Sequence, residues 1–237
     1  GHVIVPLTID DAKRDAMPSL KQSFLIYARL MGADAMKSIK TACESESLLK
    51  SYLTMYIGSN IPRWFRPILV RLLGLIGQRR TSEFVAVMGE KNIHEYYEAV
   101  IDRKKYEKRY VESWKRHNLD VLISPGGAFP ALPLGMFRDL FASFMYTTHW
   151  NLLNYPTGTV PVTTVREDED GQYTEAHGDI VDRLAVKAMN GSIGMPVGVQ
   201  VTGLPFKEET VLYAMQELES GLNRPLAVSE VARSYGA

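Results

Sequence analysis

The stretch Trp114-Lys115-Arg116-His117-Asn118-Leu119-Asp120-Val121-Leu122-Ile123-Ser124-Pro125-Gly126-Gly127 decides the fold class. Up to about residue 117 the run is charged with an apolar stripe, the pattern of a helix. Asn118-Leu119-Asp120 is a tight turn. Val121-Leu122-Ile123 is a very short apolar strand, and Pro125-Gly126-Gly127 ends it. Helix, turn, buried strand and glycine loop in that order make an α/β unit.

Working upstream, the helix reaches back to about residue 82. Phe84, Met88, Ile93, Tyr96, Tyr97, Val100, Ile101, Val111 and Trp114 form its apolar side, and Gly89 is a point of interruption. The segment Ile61 to Arg80 is unusual. At about 100° per residue, Trp64, Phe65, Ile68, Leu69, Leu72, Leu73, Leu75 and Ile76 share one broad face. Arg63, Arg66 and Arg71, with Gln78, occupy the other. Pro67 should break or begin a helix there, so helix–proline–helix is expected. Earlier still, Leu20, Phe24, Tyr27, Leu30 and Met31 mark a helix from Ser19 to Gly32. Weaker helical periodicity runs over 33–57, with Leu48, Leu49, Tyr52, Met55 and Tyr56 on one side. Residues 2–7 are a first strand candidate.

Working downstream, residues 128–159 are loop and helix material. Their aromatic run Phe137, Phe141, Phe144, Tyr146, Trp150 and Tyr155 suits either a core or an apolar tunnel. Val160 to Val165 reads as a strand beside a proline, and Glu167 to Gly171 as a solvated turn or long hairpin excursion. Val197 to Val201 is the last strand. Its partner helix spans Lys207 to Ser220, with Leu212, Met215 and Leu218 inward and Gly221 at the C-cap. Residues 225–237 read as a loose tail.

With 237 residues, 46% hydrophobic and 23% charged, the chain has the composition of one large globular domain. Lys plus Arg and Asp plus Glu are both 27, and zero net charge argues against nucleic acid as a partner. Cys43 alone excludes an intrachain disulfide, and the scattered histidines form no metal motif. There is no run of about 18 uncharged apolar residues, the usual signature of a membrane span. The opening Gly1-His2-Val3-Ile4-Val5-Pro6-Leu7 reads as a turn passing straight into a strand, as in the later part of a longer polypeptide. Charge is uneven locally: between Glu46 and Glu83 no acidic residue interrupts Lys50, Arg63, Arg66, Arg71, Arg79 and Arg80. A basic helix with a broad apolar face suits a membrane surface, with an ordinary core helix or a protein-partner groove as the alternatives.

Other residues carry weaker chemistry. Ser124 sits at a strand end, but no Gly-x-Ser-x-Gly elbow exists. His149 is read as a core or supporting residue and His94 as surface. Asp179 and Asp182 are explained by their place at a helix N-terminus.

Asn118 to Pro125 and Asn151-Leu152-Leu153-Asn154-Tyr155-Pro156-Thr157-Gly158-Thr159-Val160-Pro161-Val162-Thr163-Thr164-Val165 resemble the later half of the amidase signature family, most nearly its fatty acid amide hydrolases. Gly178-Asp179-Ile180, Gly194-Met195-Pro196-Val197-Gly198-Val199-Gln200 and Leu204 to Glu209 add to the resemblance. It implies an α/β fold in which a mixed β-sheet is wrapped by helices. It also implies amide hydrolysis by a serine–serine–lysine triad without metal or cofactor. That glycine- and serine-rich signature is absent: neither Gly-Ser-Ser nor Ser-Gly-Gly occurs. No catalytic residue is therefore assigned, and residues 1–237 are expected to be a C-terminal portion of one amidase domain, inactive alone.

The resemblance further implies an amphipathic helical cap over 51–80 that seats the enzyme on a membrane through Arg63, Trp64, Phe65, Arg66, Ile68, Leu69, Leu72, Leu73 and Ile76. Leu30, Met31, Phe141, Phe144, Thr148 and Val181 fall where such enzymes line the acyl channel, Val181 in place of a tryptophan. Gly77 replaces a phenylalanine of the channel entrance. The implied partners are a long-chain fatty acid amide, a membrane surface, the missing N-terminal portion and a possible homodimer. The implied location is intracellular, monotopic or anchored by an upstream segment. The rival readings are a catalytically inactive lipid-binding or scaffold protein and an interaction module gripping an acidic groove through 61–80.

Overall fold

The computed structural model describes residues 1–9, 16–44, 46, 50–138, 140–173 and 177–222. Along them run α1 (Leu20–Met31), α2 (Lys37–Ala42), α3 (Lys50–Ser59), α4 (Arg66–Leu75), α5 (Arg79–Val87), α6 (Ile93–Arg116), β1 (Leu122–Pro125), α7 (Met145–Leu153), β2 (Thr157–Thr164), α8 (Ile180–Met189), β3 (Pro196–Thr202) and α9 (Glu208–Gly221). The expected tail 225–237 and the helical side carried by Leu48 and Leu49 lie outside the described residues.

Local chemistry sets most boundaries. Ser19 caps α1 by accepting the Gln22 N–H at 3.1 Å. Asn92 and Glu95 make a reciprocal capping box at the start of α6. Pro67 falls in the first turn of α4, where its missing N–H costs nothing. The helix expected over 82–117 is two helices, because Gly89 at φ +100° takes a left-handed conformation that ends the first. Asn118, also left-handed at φ 51°, ends α6 and turns the chain into β1 as the opening stretch requires.

The inward face of α6 differs from the expected one. Ala99, Tyr106, Tyr110, Ser113 and Trp114 are buried, whereas Ile93, Tyr96, Tyr97 and Ile101 are exposed. Tyr106, Tyr110 and Trp114 stand four residues apart on one seam and pack with Ile26 of α1, Trp150, Leu152 and Leu153 of α7, and Tyr155. Hydroxyl and indole ends let this seam be both apolar and tied to backbone. Tyr106 Oη donates to the Ser19 carbonyl at 3.1 Å, and Trp114 Nε1 donates to the Leu119 carbonyl at 2.6 Å.

The described strands pair in the order β1–β3–β2, both pairs antiparallel. The mixed sheet expected from the resemblance is therefore an antiparallel one among the described residues. The connection from β2 to β3 is closed at its base by Val165 N–H to the Met195 carbonyl and Gly194 N–H to the Val165 carbonyl, so β3 returns beside β2 like a long hairpin. The register shifts between Pro161 and Thr163, where proline supplies no N–H to the ladder. Val160 and Val201 pack on Val211 of α9. The strand expected over residues 2–7 does not form: the segment pairs with no strand among the described residues, and Val3 and Ile4 are each 90% exposed.

His149 is fully buried among Tyr106, Tyr110 and Trp150, as a core histidine. Burial pushes its pKa down to about 3. The unfolded imidazole takes up a proton below about pH 6.5 while the folded one stays neutral, so stability falls by about 1.4 kcal/mol per pH unit across that window. Urea unfolding between pH 7 and 4 should show this slope in the parent chain and lose it in His149→Gln.

Candidate functional site

The segment from Ile61 to Arg80 docks by its charged side. Arg63 pairs with Glu95 at 2.6 Å, and Arg66 turns inward to donate to the Ile61 carbonyl at 2.8 Å. Arg80 donates from Nε to Asp179 at 2.7 Å and from its terminal nitrogen to both Asp179 and Asp182, the latter at 2.6 Å. Ser82 of α5 donates to the Val70 carbonyl of α4 at 3.0 Å. Between these contacts, α4 buries no residue. Trp64 is 74% exposed and Leu75 is 85% exposed, and Phe65, Ile68, Leu72 and Ile76 are exposed with them. Leu69 and Leu73 are half-buried.

This arrangement corrects two parts of the sequence reading. Among the described residues the apolar face of α4 buries no side chain, which speaks against the ordinary core-helix alternative. The basic residues are not a free array either: Arg63 is paired with Glu95 at the surface, Arg66 and Arg80 are bonded to the protein, and Arg71 and Arg79 are exposed.

The Arg80 cluster had no sequence signal beyond charge. Asp179 does cap α8, accepting the Asp182 N–H at 3.1 Å, as its position suggested. Its larger role is to hold Arg80, 99 residues away in the chain. Asp182 also accepts the His177 and Gly178 N–H groups at 2.6 and 2.7 Å and the Tyr173 hydroxyl at 3.2 Å. The Arg80 guanidinium holds the Asp179 carboxyl below its ordinary value. Burial alone would raise the Asp182 carboxyl, but the His177 N–H, Arg80 and the Gly178 N–H together hold it far below the usual range.

The expected acyl-channel residues are spread over several elements. Leu30 packs on the Tyr106–Tyr110 cluster. Its neighbour Met31 packs on a separate cluster of Ala28, Met36, Met55 and Met88. Thr148 lies buried on α7, its hydroxyl without a partner among the described residues. Phe144 is half-buried and rests on Phe137 with ring centroids 4.2 Å apart. Val181 is half-buried on α8, and the side chain of Phe141 lies outside the described residues.

None of these six lines an open groove of about 1120 Å³ between residues 1–7 and the edge of β1 that no strand among the described residues pairs. Its walls include Val5, Leu7, Tyr110, Leu122, Ser124, Tyr146 and Leu218. The Ser124 hydroxyl is buried there without a partner among the described residues.

Comparison with known proteins gives this geometry its family. The model of the family described as Amidase matches residues 13–212. The chain belongs to the amidase family. Among curated amidases, fatty-acid amide hydrolase 1 of Sus scrofa is 32% identical over 162 residues, which is 67% of this chain and 28% of that protein. Fatty acid amide hydrolase 1 of Caenorhabditis elegans is 28% identical over 223 residues, 92% of this chain and 37% of that protein. A solved fatty acid amide hydrolase shares the fold with a TM-score of 0.62 at 16% identity, over 88% of this chain and 33% of that one. This amidase chain thus spans about a third of the length of the relatives it matches.

In the amidase chain, the Arg80 cluster ties the start of α5, just after α4, to the start of α8. Its two depressed carboxyl groups contribute their full stability above the ordinary unfolded value of about pH 4, and lose it as pH falls through the folded values. Arg80→Leu should lower the urea midpoint most at pH 7, and the gap from the parent chain should narrow on acidification below about pH 4.

Proposed function

We propose that this chain is the acyl-guiding, membrane-facing portion of an amide hydrolase that converts fatty acid amides to fatty acid and amine. The observation that carries the reading is the exposed apolar side of α4, with Trp64 and Phe65 at its approach, on a segment held to the protein by its charged side. The fatty acid amide hydrolase relatives supply the substrate class. In this reading the nucleophile, its activating partners and the oxyanion donors belong to sequence outside these residues, which contain no paired-serine signature.

The cap rests in the plane of the membrane interface, where Trp64 suits the boundary and aliphatic side chains enter the acyl region. No described helix is long and apolar enough to cross a membrane. From that surface a long acyl chain passes along apolar side chains, each buried methylene contributing roughly 0.8 kcal/mol. Phe144 and Thr148 on the α7 side, Leu30 and Met31 on α1, Phe141 and Val181 are the residues proposed to meet it. The second reading, an inactive lipid-binding chain, uses the same α4 face. Amide hydrolysis by the product of the intact open reading frame separates the two.

Replacing Trp64 and Phe65 together by serine should weaken flotation with phosphatidylcholine vesicles by about tenfold or more. Unchanged flotation would reject the membrane reading. In the intact enzyme, Phe144→Asp should reduce kcat/KM for long-acyl amides by at least about tenfold more than for short ones. Equal losses would remove Phe144 from the acyl path.

A further inference from the structure

A second cavity, of about 340 Å³, lies where the start of the cap meets the approach to α6, and its chemistry is unlike that of the groove beside β1. Its lining includes Ser59, Asn60, Arg63, Arg66, Lys91 and Asn92. Three cations converge there. Glu95 pairs with Arg63 at 2.6 Å and its single charge is shared, at longer range, with Arg66 and Lys91, while Glu90 is bound to Lys37 at 2.8 Å.

The remaining polar groups are poorly served. The Arg66 guanidinium spends one terminal nitrogen on the Ile61 carbonyl, but its Nε is buried with no acceptor among the described residues. Ser59 is 2% exposed, and its hydroxyl too is buried without a partner among the described residues. The Lys91 ammonium has the Met88 carbonyl at 3.4 Å, a weak contact for a cation. Desolvation first, and the charge of Arg66 second, push the Lys91 pKa down.

A partly buried Arg–Lys pair with spare donors is costly unless something negative joins it. The backbone makes room for the arrangement: a Cβ on Gly89 would overlap the Arg66 guanidinium, so only glycine lets that side chain lie where it does. A neutral ligand would leave the charge imbalance in place. A tetrahedral oxyanion accepts from several charged and neutral donors at once and offsets the repulsion.

We propose that this cavity binds a phosphate group, carried either by the free anion or by an anionic phospholipid headgroup. The volume holds a phosphate with a small attached group. Exposed apolar residues follow its walls directly in sequence: Trp64 and Phe65 after Arg63, and Ile93 after Asn92. The site itself does not depend on the membrane reading, since free phosphate tests it alone.

The test uses the full chain at constant ionic strength set with sodium chloride. Inorganic phosphate is titrated calorimetrically, and flotation is compared on phosphatidylcholine vesicles with and without phosphatidate. Saturable phosphate binding that weakens about tenfold in Lys91→Gln, and weakens also in Ser59→Ala, is the expected result. Circular dichroism confirms that both variants fold, and the milder Ser59→Ala keeps the test decisive if Lys91→Gln does not. A phosphatidate-dependent gain in flotation that Lys91→Gln loses identifies the lipid headgroup as the source. Phosphate binding without such a gain identifies the free anion. No saturable phosphate binding together with no phosphatidate-dependent gain, or binding equally strong in both folded variants, overturns the proposal. Failure of the membrane reading looks different: flotation unaffected by the Trp64 and Phe65 replacements, with phosphate binding intact.

Discussion

An amphipathic segment usually hides its apolar side and shows its charges to water. In the segment ending at Arg80 that order is not kept. Its guanidinium enters a site where the Asp179 and Asp182 carboxylates are almost fully buried, and together the three groups satisfy charge that would be costly to bury alone. The Arg63–Glu95 pair and the Ser82–Val70 contact hold the same segment in the same sense. With Arg66 and Arg80 bonded to the protein on either side of it, α4 leaves Ile68, Leu72 and Leu75 exposed together with Arg71. Hydrophobicity decides what that exposed face can then adhere to.

The rest of the fold gives this cap a rigid base. The seam of Tyr106, Tyr110 and Trp114 presses α6 onto α7 and α1, and Trp150 carries the connection into the sheet by donating to Gln200 of β3 at 2.8 Å. Gln200 in turn reaches the Gly126 carbonyl at 3.4 Å, beside the glycine exit from β1. Aromatic side chains suit this work because each fills a large volume and still offers a polar atom to the backbone or to a side chain. A second cluster, rich in methionine, joins α3 to α1 and α5 around Met36, Met55 and Met88. Unbranched thioether chains adapt to the irregular gap between short helices better than stiffer residues would.

The two cavities divide the molecule chemically. The groove beside β1 is lined mainly by aliphatic and aromatic side chains and opens along a strand edge unpaired among the described residues. Such an edge leaves backbone donors and acceptors available to a further strand. The smaller cavity beside α6 gathers cations where the chain passes from α3 into the cap and from α5 into α6. Both sit at junctions between elements, where backbone turns bring side chains together that regular structure would keep apart.

The sequence by itself determined the α/β class, the turn at Asn118, the strands around Val160 and Val199, and the amidase family. Each of these rests on neighbours within a few residues or on an ordered set of motifs, so it survives without coordinates. Of the helix–proline–helix expected around Pro67, only the second helix forms. Apolar periodicity also found the amphipathic segment, but it could not say which way that segment would face. Only the tertiary structure decided that, because the contacts on either side of it include an ion pair between residues 99 positions apart, which leaves no periodic trace. The same limit explains the inward side of α6. Ile93, Tyr97 and Ile101 are as apolar in pattern as Tyr106 and Tyr110, and the choice between the two sides depends on where α1 and α7 lie. The unpaired start at residues 2–7 follows suit, since a strand-like run becomes a strand only beside a partner edge at the right register.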